Sequence, residues 1–305
     1  MEIYAFNRRE DDNLQYAEKE LMTSIDKTYD LYHLLLLLVL DIADIAEEKI
    51  EQARNKKMPT WEDLNPNCRF VENAVVKMLR ENEALNKYVS KNHLSWSDTH
   101  IPRSIYSDLI DWDAYSLYMN SPVNDFAADK KFIVQMVTEL FPNSDELESC
   151  LEEMNIYWND DMEYVTVMVG KTIQQFSLSK GAAQDLKPLF KNEEDEEFVK
   201  VLLRKSILND EKYTKLIEKH TTNWEIDRIA LMDMLVMKMA ISEIVEFVEI
   251  PVKVTLNEYI EIAKYYCTEK SGTFVNGILD KIVRDMKESG MLNKSGRGLI
   301  DESIR

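Results

Sequence analysis

Between Tyr16 and Arg54 no glycine or proline interrupts the chain. Leu21, Ile25, Tyr29, Tyr32, Leu36, Val39, Ala43, Ala46 and Ile50 recur there at spacings of three and four. That is one face of a long amphipathic helix. A short piece, Met1–Arg9, precedes it and ends at the polar break Glu10–Asn13. The longest apolar run, Leu34–Leu40, lies between His33 and Asp41. It is far shorter than the roughly 20 residues that cross a bilayer, so it reads as a buried turn of a soluble helix. Asn55–Pro66, with Pro59 and Pro66, reads as a linker.

From residue 67 to 190 helical patterns alternate with breaks at His100–Pro102, Ser121–Pro122 and Phe141–Ser144. Trp96, Tyr106, Trp112, Tyr115, Tyr118, Phe126, Phe132, Tyr157 and Trp158 are expected in a core. Asn192–Glu197 marks the acidic start of a new helix, where carboxylates suit the helix dipole. Phe198, Val201, Leu202 and Ile207 form its apolar side. A short helix over Asn209–His220 and a longer one over Asn223–Glu246 follow. The second carries the stripe Ile226, Ala230, Met234, Met237, Ile241 and Ile244. The tail after Ser289 holds three glycines and is expected to fray.

No segment shows strand-like alternation, and only seven Gly and seven Pro occur in 305 residues. The composition, rich in Leu, Met, Glu and Lys, points to an all-α protein. Three isolated cysteines, Cys68, Cys150 and Cys267, give neither a disulfide framework nor a zinc motif. A reducing, cytoplasmic setting fits them, and no signal peptide opens the chain. The net charge of −19 argues against nucleic acid, but its distribution matters more than its sum. Residues 198–305 carry 17 basic and 17 acidic side chains, so the whole excess sits in residues 1–197. The first part should repel phosphates, and the second can still hold a basic face.

Ile250–Met286 is the most specified stretch. Ile250, Pro251, Val254, Asn257, Glu258, Glu261, Ala263 and Lys264 lead through a short loop to Phe274, Val275, Asn276, Gly277, Leu279, Asp280 and Lys281. The order implies helix, loop, helix, with Ser271 or Thr273 in place to cap the second helix. This pattern resembles the C-terminal signature of the NusB family of transcription antitermination factors. The resemblance covers residues 193–288 well, including Asp227–Leu231 and Glu243, and residues 1–50 more weakly.

The resemblance implies an all-α fold, a NusB-like pair of three-helix bundles with an additional helical region. It divides the chain into family-like N-terminal helices (1–54), an inserted acidic helical region (55–192), a C-terminal bundle (193–290) and a flexible tail (291–305). Residues 16–50 and 193–288 are expected in one packed unit.

Family members bind a short single-stranded RNA element, boxA, together with NusE, a ribosomal small-subunit protein. The resemblance therefore implies a non-enzymatic RNA-binding antitermination factor acting on ribosomal RNA operons. NusE would be its main partner and the RNA polymerase complex an indirect one, with no cofactor, metal or membrane. The candidate RNA-binding residues are Tyr4, Arg8, Arg9, Lys270 and Phe274, since cations meet phosphates and exposed rings stack on unpaired bases. Tyr4 falls on a family tyrosine, but the Arg-rich turns that precede it are missing. A natural start upstream of Met1 is expected, with Arg8 and Arg9 compensating in part. Asn276 and Gly277 read as structural, the glycine permitting close helix packing. The four histidines are far apart, no Gly-rich phosphate loop occurs, and Asp160–Asp161 reads as an acidic surface. The alternative is an acidic helical scaffold for a basic protein, its RNA binding vestigial.

Overall fold

The computed structural model describes residues 3, 6, 13–221 and 229–302. Among them every regular element is helical and no strand occurs. The helices are α1 (Leu14–Arg54), α2 (Trp61–Leu64), α3 (Ala74–Arg80), α4 (Glu83–Asn92), α5 (Ile101–Asp111), α6 (Asp113–Asn120), α7 (Phe126–Gln135), α8 (Asp145–Met154) and α9 (Met162–Gln174). They continue with α10 (Glu193–Leu208), α11 (Asp210–His220), α12 (Leu231–Glu246), α13 (Val252–Tyr266) and α14 (Ser271–Glu288). None is long and apolar enough to cross a membrane, among the described residues.

The chain forms two compact units, a central one of residues 24–189 and a terminal one of residues 1–23 with 190–305. Helix α1 supplies residues to both. The expected grouping of 16–50 with 193–288 therefore divides within α1. Leu31, Leu34–Leu36, Leu38–Leu40, Ile42, Ala43 and Ala46 share one core with Phe70, Leu79, Trp96, Phe132, Phe141 and Val169. The run Leu34–Leu40 is buried there because α1 meets partners on several sides, not along a single stripe. Trp96, 1% exposed, donates its Nε1–H to the Leu34 carbonyl at 2.9 Å.

Polar pairing in the central core is dense. Asn73 caps α3 by accepting from Val75 N at 2.8 Å, and its Nδ2 donates to Tyr118 Oη at 3.0 Å. Tyr118 Oη donates in turn to Asp129 Oδ1 at 2.7 Å, while Asp129 Oδ2 accepts from Ala74 N at 2.9 Å. A second cluster joins His33, stacked on Tyr88 with ring centroids 3.7 Å apart, to Asp30, which accepts from Tyr88 Oη. The break expected at Phe141–Ser144 is present, preceded by a π-helical turn over Met136–Leu140. Gly170 on α9 faces that turn; a Cβ there would come within 2.7 Å of Thr138 Cγ2, so the approach requires glycine.

The terminal unit has two apolar clusters. One joins Ile3 and Ala17 to Leu203, Ile207 and Leu235. Beside it Arg204 Nη2 donates to Glu18 Oε2 at 2.7 Å and holds that carboxyl below its usual range. The larger cluster packs Tyr213 and Ile217 of α11 with Met237, Ala240, Ile241 and Ile244 of α12, Tyr259 and Ala263 of α13, and Val275, Leu279, Ile282 and Met286 of α14. Helix α10 starts as the sequence predicts, with Asn192 Oδ1 accepting from Asp195 N. Helix α12 starts at Leu231, so Ala230 is its exposed N-cap residue and not part of a buried stripe; Ile226 lies outside the described residues. The tail differs from the expectation too. Ser295 N donates to the Val248 carbonyl at 3.0 Å and Lys294 Nζ to the Phe247 carbonyl at 3.0 Å, while Leu292 packs on the core.

Candidate nucleic-acid interface

The signature builds two consecutive helices of contrasting surface. On α13, Val252, Thr255, Tyr259 and Ala263 are buried, at the spacing of one helical face. The other face exposes Asn257, Glu258, Glu261 and Lys264, the last two paired with each other. Of the signature positions on α13 only Ala263 is buried; Val254 is exposed, as are the polar ones.

The loop ends α13 at Cys267, whose thiol is pushed up to about 12 by burial and by the neighbouring Asp233 carboxylate. That keeps it protonated and unsuited to nucleophilic work. Helix α14 starts at Ser271 without a side-chain cap. The expected caps fail for a geometric reason. Ser271 is buried and its Oγ pairs with Thr268 Oγ1 at 2.8 Å, while Thr273 is already inside the first turn.

Lys270 is exposed immediately before α14. Phe274, one turn later on the same face, is half-buried and packs against the core cluster. Its ring is part of the core packing and only partly exposed. Tyr4, Arg8 and Arg9 lie outside the described residues, so the structure brings together Lys270 and Phe274 alone.

Gly277 departs from its expected role. It is exposed, its φ is not in the left-handed region, and a Cβ added to it would meet nothing within 4 Å. Among the described residues no neighbouring helix approaches it. A glycine inside an exposed helix costs about 1 kcal/mol relative to alanine, and neither turn geometry nor packing among the described residues explains it.

The same face continues to Lys281 and Arg284, both exposed. The spacing 270, 274, 277, 281 and 284 alternates four and three, which places these residues on one helical face. Exposed Glu288 continues the same face and Asp280 flanks it, while Asp285 at the other edge is already engaged. Lys219 Nζ lies 2.7 Å and His220 Nε2 3.2 Å from its Oδ2, and the Lys219 hydrogen bond holds it below the usual carboxylate range.

Elsewhere in the unit Glu243 of α12 is buried, and burial pushes its carboxyl up while Thr255, Tyr259 and Lys294 surround it. This is packing between helices, remote in character from an open catalytic cleft. Among the described residues no three His, Cys, Asp or Glu side chains gather as a metal site requires.

Known proteins resemble the part of the chain that holds this signature. The NusB family model matches residues 165–284, beginning inside the region expected as an insertion. A transcription antitermination protein NusB from Salinibacter ruber is 47% identical over 113 residues, 37% of this chain and 71% of that protein. One from Chloroherpeton thalassium is 45% identical over 105 residues, 34% of this chain and 50% of that protein. The solved structure of T. maritima NusB aligns over 53% of this chain and 97% of its own at 25% identity, with a TM-score of 0.31. Nearly half of the aligned residues are identical in the Salinibacter protein across more than two thirds of its length, and the chain belongs to the NusB family.

Proposed function

We propose that this chain is an RNA-binding transcription antitermination factor that acts with NusE on boxA-type RNA during transcription of ribosomal RNA operons. Its role is binding and not catalysis. One observation carries the reading within a chain of this family: an exposed cation, Lys270, and a half-buried ring, Phe274, share one face at the start of α14. A phosphate contact beside a stacking plane suits a single strand with unpaired bases. The exposed Glu258 on α13, which has no ion pair among the described residues, suits a basic ribosomal protein and supports NusE as the partner there.

The test is Phe274→Leu. Leucine retains apolar contact with the core and removes the stacking plane. RNA affinity should fall by about 1–3 kcal/mol, the usual value of one stacked base. Stability should change by less than about 1.5 kcal/mol, as for other near-volume swaps. Unchanged affinity for boxA-type RNA, measured by fluorescence anisotropy, would sink the stacking role.

A further inference from the structure

We propose that residues 290–298, the tail beyond α14, form an autoinhibitory strap that a basic protein partner must lift from the α12–α13 junction. The inference rests on the reading that such a partner, NusE, docks at the acidic side of α13.

The chain turns back for local reasons. Gly290, just past α14, takes the left-handed φ of 68°, and Met291 N donates to the Met286 carbonyl at 2.9 Å. A glycine in that conformation with a six-to-one bond reverses the chain at a helix end. Leu292 then packs on the core. Lys294 Nζ donates to the Phe247 carbonyl and Ser295 N to the Val248 carbonyl, each at 3.0 Å. Gly298 is buried against the same junction. A Cβ on it would collide with the Val248 carbonyl oxygen, so any other residue there must lift the strap.

The two surfaces are complementary in charge. Residues 290–300 hold two cations, Lys294 and Arg297, and no acid. Residues 243–258 hold four acids and one cation, Lys253, and of the acids Glu246 is paired with Lys205. Lys294 lies where the remaining carboxylates gather. Its charge favours ionised Glu243, while the charge of Glu258 opposes it, so both lie close to that buried carboxyl. Glu249 Oε1 stands 3.9 Å from where a Cβ of Gly296 would be. A basic protein drawn to Glu258 therefore meets Lys294 already in place, and like charges oppose its approach.

The hold is light. Met291 and Leu299 stay 54% and 45% exposed, so Leu292 supplies the apolar anchoring. Burial pushes the Lys294 ammonium below its ordinary value, with only the Glu243 charge working against it. A terminal segment held by one apolar anchor and two hydrogen bonds to the junction belongs to the least stable part of a fold.

The experiment compares the full parent chain with Gly298→Ala, which unseats the strap, and Lys294→Gln, which weakens its hold. NusE affinity is measured by titration calorimetry and boxA-type RNA affinity by fluorescence anisotropy. Amide hydrogen exchange at Ser295 is followed with and without NusE. Both variants should bind NusE several-fold more tightly than the parent and bind RNA equally well. Saturating NusE should speed exchange at Ser295 in the parent, because the bond to Val248 is broken as the strap leaves.

If both variants bind NusE with the parent's affinity, the strap is wrong and the NusE reading stands. If they bind it more weakly, or NusE slows exchange at Ser295, the tail is part of the docking surface and inhibits nothing. If neither the parent nor the variants bind NusE, both readings fall.

Discussion

The two units are built from the same material, short helices around apolar clusters, but they treat buried polar groups differently. In the central unit the hydroxyls, amides and carboxylates are tied into closed sets, such as Asn73–Tyr118–Asp129 and Asp30–Tyr88, and among the described residues Arg69 Nε is the one buried side-chain group without a hydrogen bond of good geometry. In the terminal unit Ser206 Oγ, Tyr213 Oη, Asp233 Oδ1, Ser242 Oγ and Thr255 Oγ1 are buried without a hydrogen bond of good geometry among the described residues. Ser242 faces Tyr213, and Thr255 faces Glu243, close enough to favour the charged form of each partner but off the ideal arrangement. A unit with unmatched polar groups has lower local stability and more room to repack. The family signature lies in that looser unit, and the tighter one has the larger core.

The comparison breaks first at its strongest point. Trp96 fills the central core and ties it to α1 through the Leu34 carbonyl. Trp96→Ala should cost about 3–5 kcal/mol, as large aromatic deletions do. Urea denaturation followed by circular dichroism measures this. At temperatures where the variant stays folded, its affinity for boxA-type RNA should equal the parent's. A cost below 1 kcal/mol would show that the central core is not the stable part.

Next is Tyr118→Phe, which removes one oxygen and changes little else. Asp129 loses a donor and Asn73 an acceptor, both in buried surroundings. Leaving such groups unpaired costs about 1–3 kcal/mol. The same denaturation measurement reads it.

Much of this was legible in the sequence, for identifiable reasons. Helix α1 was plain because a glycine-free run with a 3.6-residue period has few other solutions. The start of α10 was plain because a run of acids suits the positive end of the helix dipole, though the Asn192 cap itself was not read. The division of α1 between two units was not legible, since its apolar residues read alike whichever partners they meet. Nor were the Ser271 and Gly277 roles. A serine at a helix start reads as a cap until its hydroxyl is seen turned inward to Thr268. A glycine in a helix reads as a close contact until the space above it is seen to be open. In both cases the residue type was informative, but its meaning depended on what stands across from it, which local pattern does not encode.

A smaller effect follows pH. Burial pushes the Asp41 carboxyl up to about 6, with the Asp44 charge adding to it. The unfolded chain ionises near the ordinary value of about 3.9. Between those values the folded state holds the proton more tightly, so stability falls as pH rises through the window and stays reduced above it. Asp41→Asn should therefore be more stable than the parent at pH 7 and no different below pH 4. Partial exposure of this side chain lets solvent screen the effect, which should not exceed about 1 kcal/mol. Identical pH profiles for parent and variant would remove Asp41 from the account.

The smallest expected change is the sharpest test, because it repeats the Tyr118 experiment in the other unit. Tyr213 on α11 is fully buried, like Tyr118 an aromatic in a core, and burial pushes its hydroxyl up. Its oxygen makes no well-formed hydrogen bond among the described residues, so Tyr213→Phe removes a polar atom that is already underused. The ring, with its contacts, stays. Nothing across from it is left newly unpaired, and the lost desolvation penalty of the hydroxyl offsets any weak attraction to Ser242. The variant should lie within about 0.5 kcal/mol of the parent, set against about 1–3 kcal/mol for Tyr118→Phe. The pair of variants isolates one variable, whether a buried phenol is satisfied, and holds residue type and substitution constant. If Tyr213→Phe costs as much as Tyr118→Phe, the terminal unit is as well matched as the central one, and the difference between the two units is not real.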